Sequence, residues 1–139
     1  MILLIMVIAA SSCAKINTLC TKVNNLNAMN DFEKSAKKYN QMLRWHELDM
    51  AGLAFADESL KEAYAERAKA AKGVKIADYR VVLQECTPET KTAKVVLDID
   101  YYIPPSVTLK SVEDVQRWEY VDINDKKTWK LKSLLPEFK

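Results

Sequence analysis

Two aspartates and a tyrosine occupy alternate positions of one predicted strand. Asp98, Asp100 and Tyr102 are spaced by two residues, which places all three side chains on one face of a strand. An aspartate base with tyrosine or protonated aspartate donors can move a proton next to a carbonyl group in a dry pocket. The opposite face, from Ala93 to Tyr101, is more apolar, so the simpler expectation is that the acids face solvent. The catalytic interpretation is kept as an alternative.

The chain contains a single histidine, His46, and therefore one imidazole that could act as a base near neutral pH. Its position continues an apolar stripe at helical spacing, formed by Phe32, Ala36, Tyr39 and Leu43. Near the C-terminal end of a helix, a partly charged imidazole interacts favourably with the helix dipole. We expect a structural role for His46, with the catalytic role as the alternative.

Three aromatic residues, Trp45, Tyr101 and Trp118, are candidates to line a pocket for a flat, apolar ligand. Aromatic residues on strands more often form the core or cross-strand pairs. The sequence leaves both interpretations open.

The three cysteines, Cys13, Cys20 and Cys86, form no Cys-x-x-Cys pair, and one histidine cannot complete a structural zinc site. We therefore expect no metal. If Cys13 is modified, Cys20 and Cys86 remain as a pair that can form a disulfide in an oxidising compartment. Cys86 can equally be a buried thiol at the end of an apolar strand.

An unbroken apolar run, Met1 to Ala10, is too short to span a bilayer and suits the apolar region of a signal peptide. The following Ala10-Ser11-Ser12-Cys13 resembles the lipobox of bacterial lipoproteins. That resemblance implies a signal peptide over residues 1–12, acylation of Cys13 and attachment to a membrane of the cell envelope. Ala14, which is not an aspartate, favours the outer membrane, facing the periplasm. The first lysine is Lys15, so we expect a signal peptide truncated at its start; a buried apolar helix or strand is the alternative.

Composition excludes several classes of function. Of the 139 residues, 49% are hydrophobic, 21 are basic and 19 are acidic, and charges of both signs alternate along the chain. Because no region is strongly basic, nucleic acid is not an expected partner. The two glycines, Gly52 and Gly73, are too far apart to form a phosphate-binding loop. We therefore expect neither a nucleotide nor any other cofactor.

Periodicity predicts an α+β domain over residues 30–139 behind a flexible tether, 13–29, whose asparagine-rich stretch Lys15 to Asn30 shows no sustained period. Three helices are predicted first: from Asn30 or Asp31 to His46, from Glu47 to Phe55, and from Glu58 to Lys72, with Gly73 ending the last in a left-handed turn. Four antiparallel strands are predicted next: Val74 to Cys86, Thr92 to Ile103, a bent Val107 to Val121, and Lys127 to Leu134.

This order of elements resembles the cone-shaped fold of nuclear transport factor two, the ketosteroid isomerases and the SnoaL-like proteins. The stretch Tyr39-Asn40-Gln41-Met42-Leu43-Arg44-Trp45 is similar to the first helix of that fold, and Trp118-Glu119-Tyr120-Val121 with Thr128-Trp129-Lys130-Leu131 is similar to its closing hairpin. The chain also resembles small bacterial lipoproteins that carry this fold. The resemblance implies a curved, mostly antiparallel sheet around a pocket that the helices cover.

Three functions are compatible with these observations. The first is a lipid-anchored periplasmic module that binds a small apolar ligand or an envelope protein without catalysis. The second is an isomerase or dehydratase that uses Asp98 or Asp100 with Tyr102 and His46. The third is a structural module that forms a homodimer through the outer face of its sheet.

Overall fold

The computed structural model describes the backbone of residues 12–139 and the side chains from Thr21 onward. Its elements are α1 (Ser12–Arg44), α2 (Leu48–Phe55), a short 3₁₀ turn (Glu58–Leu60), α3 (Lys61–Ala70), β1 (Lys75–Thr87), β2 (Thr92–Tyr102), β3 (Lys110–Ile123) and β4 (Lys126–Leu131). The predicted signal peptide, apart from Ser12, lies outside the described residues.

The four strands form one antiparallel sheet in the order β1-β2-β3-β4, and the helices pack against one face of it. This arrangement confirms the predicted α+β fold class. Strands that follow one another along the chain are hydrogen-bonded neighbours, as short hairpin connections require.

The core lies between the helices and the inner face of the sheet. On β2 the residues from Ala93 to Tyr101 at odd positions are buried, which is the face that the alternation predicted. Trp118 of β3 and Trp129 of β4 are buried against Phe32 of α1, with ring centroids 6.2 Å and 5.2 Å apart respectively. Aromatic rings thus join the first helix to the last two strands.

The predicted linker over Lys15 to Asn30 is wrong, because α1 begins at Ser12 and runs through it without interruption. Asparagine lowers helix stability by less than 1 kcal/mol per residue, and no glycine or proline interrupts residues 12–44. Ala28 is 5% exposed, and its carbonyl oxygen accepts a hydrogen bond from Trp129 Nε1 at 2.8 Å. The packed part of the helix therefore begins before residue 30.

The predicted end of the first helix at His46 is also wrong, because α1 ends at Arg44. His46 has φ 65°, its amide donates to the Leu43 carbonyl, and the Glu47 amide donates to the Met42 carbonyl. This pair of hydrogen bonds around a left-handed residue is a Schellman motif, which ends a helix. His46 leaves the apolar stripe and becomes exposed.

Other boundaries differ by a few residues. The third strand begins at Lys110 rather than Val107, after the cis bond between Pro104 and Pro105. Gly73 does not have positive φ, so α3 ends without the left-handed glycine that was predicted. Among the described residues, none of the helices is both long and apolar enough to cross a membrane.

Candidate functional site

The three candidate catalytic residues of β2 lie on the outer face of the sheet, away from the helices. Asp98, Asp100 and Tyr102 alternate with the buried positions of that strand. Asp100 accepts hydrogen bonds from Arg80 Nη1 at 2.8 Å and Ser111 Oγ at 2.7 Å. The bond from Arg80, followed by that from Ser111, holds the pKa of Asp100 below its usual value. Asp100 is therefore held as a carboxylate by its neighbours on this outer face.

The three aromatic candidates do not line one pocket. Trp45 is 71% exposed, and the Arg44 guanidinium lies over its ring, 5.7 Å from the centroid. Tyr101 is buried, donates from its hydroxyl to the Lys139 carbonyl oxygen at 2.8 Å, and packs edge-on against Phe138. Trp118 is buried in the core. Of the two interpretations, core packing is the arrangement found for Tyr101 and Trp118.

His46 lies apart from the three β2 candidates, in the turn between α1 and α2. Partial burial, then the positive charges of Lys75 and Arg44, lower the pKa of its imidazole. The geometry thus keeps His46 neutral and outside the helix-covered face of the sheet.

Cys86 is half-buried at the end of β1 and is the one cysteine whose side chain the structure describes. Burial, followed by the charges of Glu33 and Glu89, raises the pKa of this thiol and weakens it as a nucleophile. The side chains of Cys13 and Cys20 lie outside the described residues. Acylation of Cys13 and a disulfide between Cys20 and Cys86 both stay predictions.

A buried carboxyl group that sequence reasoning missed faces the helices. Asp114 and Gln116 lie on the inner face of β3, opposite Leu97 and Val95 of β2. Gln116 Nε2 donates to Asp114 Oδ2 and to Asn40 Oδ1 of α1, both at 2.8 Å. Asn40, Asp114 and Gln116 are all buried. We call these three residues the Asp114 cluster.

Two tyrosines lie close to the Asp114 cluster. The hydroxyl groups of Tyr39 in α1 and Tyr64 in α3 are 2.8 Å apart and buried. Burial raises the pKa of both phenols, and the negative charge of Asp114 raises them further. Both tyrosines therefore stay protonated and act as hydrogen-bonding groups.

The carboxyl group of Asp114 is the most perturbed acid in the described part of the chain. Burial raises its pKa to about 6, although the hydrogen bond from Gln116 opposes that shift. A carboxyl group with such a pKa can exchange a proton near neutral pH, which is the property of a general acid or base. Asp114 is 2% exposed, however, and a substrate would reach it only if the helices moved.

A signal for this cluster exists in the sequence of β3. Val112, Asp114, Gln116, Trp118 and Tyr120 occupy alternate positions, so an acid and an amide share a face with large apolar residues. The alternation along β3 is imperfect, so the sequence does not show which set of alternate positions faces the helices. The pairing with the neighbouring strands decides it.

The cavities described at the surface are open grooves. One of about 490 Å³ lies between α1 and the turn after β1, and another of about 420 Å³ lies at one end of the sheet, across β1, β2 and β3. The first is lined by Lys22, Asn25, Leu26, Met29, Cys86, Pro88 and Glu89. The second is lined mainly by charged side chains of both signs, with Trp118 at its inner side. In the part of the chain that the structure describes, no three acidic, cysteine or histidine side chains are grouped to hold a metal ion.

Comparison with known protein families finds no family model that matches the chain, and comparison with curated proteins finds no match either. The likeness to the SnoaL-like fold therefore stays a prediction.

Proposed function

We propose that this protein is a lipid-anchored interaction module of the bacterial cell envelope that catalyses no reaction. The observation that carries the proposal is the filled interface between helices and sheet. The ring of Trp118 packs edge-on against Phe32, Tyr39 and Phe55, with centroids 5.5 to 6.2 Å apart. A binding pocket needs open volume at this place, whereas the surfaces left for recognition are on the outside.

The anchoring part of the proposal rests on the lipobox-like Ala10-Ser11-Ser12-Cys13. The helical backbone that follows separates Cys13 from Ala28, the first buried side chain among those described, by about 22 Å at 1.5 Å per residue. Two or three acyl chains on one cysteine would give lasting attachment, since each buried methylene contributes about 0.8 kcal/mol.

The test is the intact mass of the protein purified from membranes of its native host. The expected mass is that of a chain beginning at Cys13 with a diacylglyceryl and a fatty acyl group. The same sample measured after reduction reports on a Cys20–Cys86 disulfide through a gain of two protons. An unacylated chain that retains Met1 would contradict the anchor and with it the envelope location.

The distribution of apolar and charged residues on the outer face of the sheet favours a second candidate function, which is self-association through that face. Leu83, Val96 and Val115 form an apolar row across β1, β2 and β3. On one side of this row lie four carboxylates and two cations: Asp78, Asp98, Asp100, Glu113, Arg80 and Lys75. On the other side lie three basic and two acidic residues: Lys94, Arg117, Lys130, Glu85 and Glu119.

This pattern is self-complementary. A two-fold axis through the apolar row would place the acidic side of one copy over the basic residues of the other, and the reverse. Opposite charges across such an interface set its register. Val96 is only 9% exposed in the single chain, so Leu83 and Val115, which are half-buried, supply the apolar area removed from water.

Charge reversal tests this arrangement. The variant D98K/E113K makes both sides basic, and K94E/R117E makes both sides acidic, so neither is expected to self-associate in sedimentation velocity. A one-to-one mixture of the two variants should form a heterodimer, because their sides are again complementary. Parent protein that stays monomeric at high micromolar concentration, or a mixture that does not associate, would contradict the dimer.

A further inference from the structure

Helix α1 carries exposed apolar side chains in addition to those that its own domain buries. Val23 is 50% exposed and Leu26 is 59% exposed, although both lie in the middle of a long helix. The buried residues of the same helix, Ala28, Phe32, Ala36, Tyr39 and Leu43, follow a different line along it. The helix therefore has two apolar faces, and its own domain covers one of them.

The apolar spacing of Val23 and Leu26 continues in the sequence toward the start of the helix. Positions 16, 19, 23 and 26 are occupied by Ile, Leu, Val and Leu at 3-4-3 spacing, which is one line on a helical backbone. At 100° per residue, this line lies about 160° round the helix from the line of buried residues. We call Ile16, Leu19, Val23 and Leu26 the outer stripe.

Between Ser12 and Asn30 the charges that α1 itself carries have one sign, although Glu89 lies across the groove from Lys22. Helix α1 contains six basic residues and two acidic ones, Asp31 and Glu33, and no acidic residue lies between Ser12 and Asn30. Lys15 and Lys22 are at positions that border the stripe, and Lys34, Lys37 and Lys38 follow on exposed positions of the helix. A face with an apolar line and basic borders is complementary to an anionic lipid surface.

We propose that the outer stripe lies in the headgroup region of a membrane rich in anionic phospholipid, with the lysines beside it contacting phosphate groups. The proposal rests on the proposed envelope location for its setting, but it does not require acylation of Cys13. A second copy of the helix is a poorer partner, because a paired stripe would bring Lys15 and Lys22 of both copies together, and α1 has no acidic residue between Ser12 and Asn30 to pair with them.

Vesicle sedimentation with the full chain tests the proposal. The Cys13→Ser background removes any acyl group, and the vesicles are phosphatidylcholine alone or phosphatidylcholine with one-third phosphatidylglycerol. Binding is expected to be stronger on the anionic vesicles and to fall in about 0.5 M NaCl. In this background V23D/L26D should lower binding to anionic vesicles about tenfold, since it places two charges in the stripe. The matched control is V107D/L109D, at two residues that are 88% and 58% exposed in the loop before β3; it should bind as the background does.

Two results would overturn the proposal. Equal binding to both kinds of vesicle, unchanged by V23D/L26D, would show that the apolar segment Met1 to Ala10 binds instead of the stripe. A background protein that is dimeric in sedimentation velocity and becomes monomeric in V23D/L26D, with vesicle binding unaffected, would assign the stripe to a second copy. Because Cys13 is replaced throughout, neither result bears on the lipid anchor, which the intact mass tests separately.

Discussion

At the scale of single residues, the environment of Asp114 has the clearest consequence for folding stability. Its carboxyl group is enclosed in the core and receives a hydrogen bond from the neutral side chain of Gln116. A buried carboxylate without a cationic partner is unfavourable, so the folded protein holds the proton more tightly than the unfolded chain. Folding stability must then depend on the ionisation of this group.

The pKa of Asp114 is about 6 in the folded state, against an ordinary value of 3.8. Its contribution to stability is therefore fully present below about pH 4 and is lost as pH rises through 6, by an amount on the order of 3 kcal/mol. Asp114→Asn removes the ionisation and keeps an oxygen that accepts from Gln116. Compared with the parent, we expect the variant to be more stable at pH 7.5 and to show a flatter pH dependence in urea unfolding.

The control is Asp98→Asn, at a carboxyl on the outer face of the sheet, which should follow the parent curve between pH 4 and 7.5. An Asp114→Asn curve with the same slope as the parent would contradict the raised pKa.

At position 52, the side chain of one neighbouring residue leaves room for glycine only. A Cβ atom at this position would collide with the ring of Tyr64, which is buried between α2 and α3. Gly52→Ala should therefore destabilise the protein by about 1–3 kcal/mol, although alanine is the better helix former. Gly73→Ala is the matched control, because no atom lies within 4 Å of its added Cβ and its φ is not positive. Thermal unfolding should lower the Tm in the first variant and leave it unchanged or raised in the second.

At the scale of elements, the end of α1 sets where α2 begins. The left-handed conformation of His46 turns the chain within two residues, and Leu48 starts the next helix. Apolar periodicity alone extended α1 to His46, because the stripe has the right spacing there. The hydrogen bonds of the turn, which no periodicity shows, decide the actual end.

A residue with a Cβ atom is strained at the φ of 65° that His46 adopts, whereas glycine is not. His46→Gly is therefore expected to raise the stability by about 1 kcal/mol, measured by urea unfolding at pH 7.5. Gln41→Gly, at an exposed position inside α1, should instead lower it by about 1 kcal/mol. A loss of stability in His46→Gly would mean that contacts of the imidazole outweigh the backbone strain.

At the scale of the whole molecule, the residues after β4 close the fold by contacting α3 and β2. Arg67 of α3 donates to the Leu135 carbonyl at 2.8 Å and pairs with Glu137 at 3.3 Å. The ring of Phe138 packs edge-on against Tyr101 at 5.0 Å. The segment therefore ties a helix and an inner strand that lie far apart in sequence.

Phe138→Ala should lower the free energy of unfolding by about 2 kcal/mol, since its ring is half-buried rather than enclosed. The loss should appear in one cooperative transition followed by both circular dichroism and tryptophan fluorescence, because the segment contacts the common core. Phe138→Leu, which keeps an apolar side chain, should recover more than half of the stability. A stability equal to the parent in Phe138→Ala would contradict the closing role.

The sequence by itself determined the classes and order of the elements. Alternation along β2 predicted both that strand and the outward direction of Asp98 and Asp100, because a strand has only two faces and one was clearly more apolar. The pair Asn124 and Asp125, within the predicted turn, adopts φ of 53° and 62°, as residues tolerant of left-handed backbone do in a two-residue hairpin. Such features depend on neighbours along the chain.

The tertiary structure alone decided which polar residues are buried and how far α1 extends. Asp114 comes together with Asn40 across 74 positions of sequence, through Gln116, and neither strand β3 nor helix α1 contains that information by itself. The hydrogen bond from Trp129 to Ala28 likewise joins the core to a helical segment that was predicted from sequence to be a linker. Burial and long-range hydrogen bonds depend on how the elements meet, so the raised pKa of Asp114 and the exposure of Val23 and Leu26 became visible only in the folded chain.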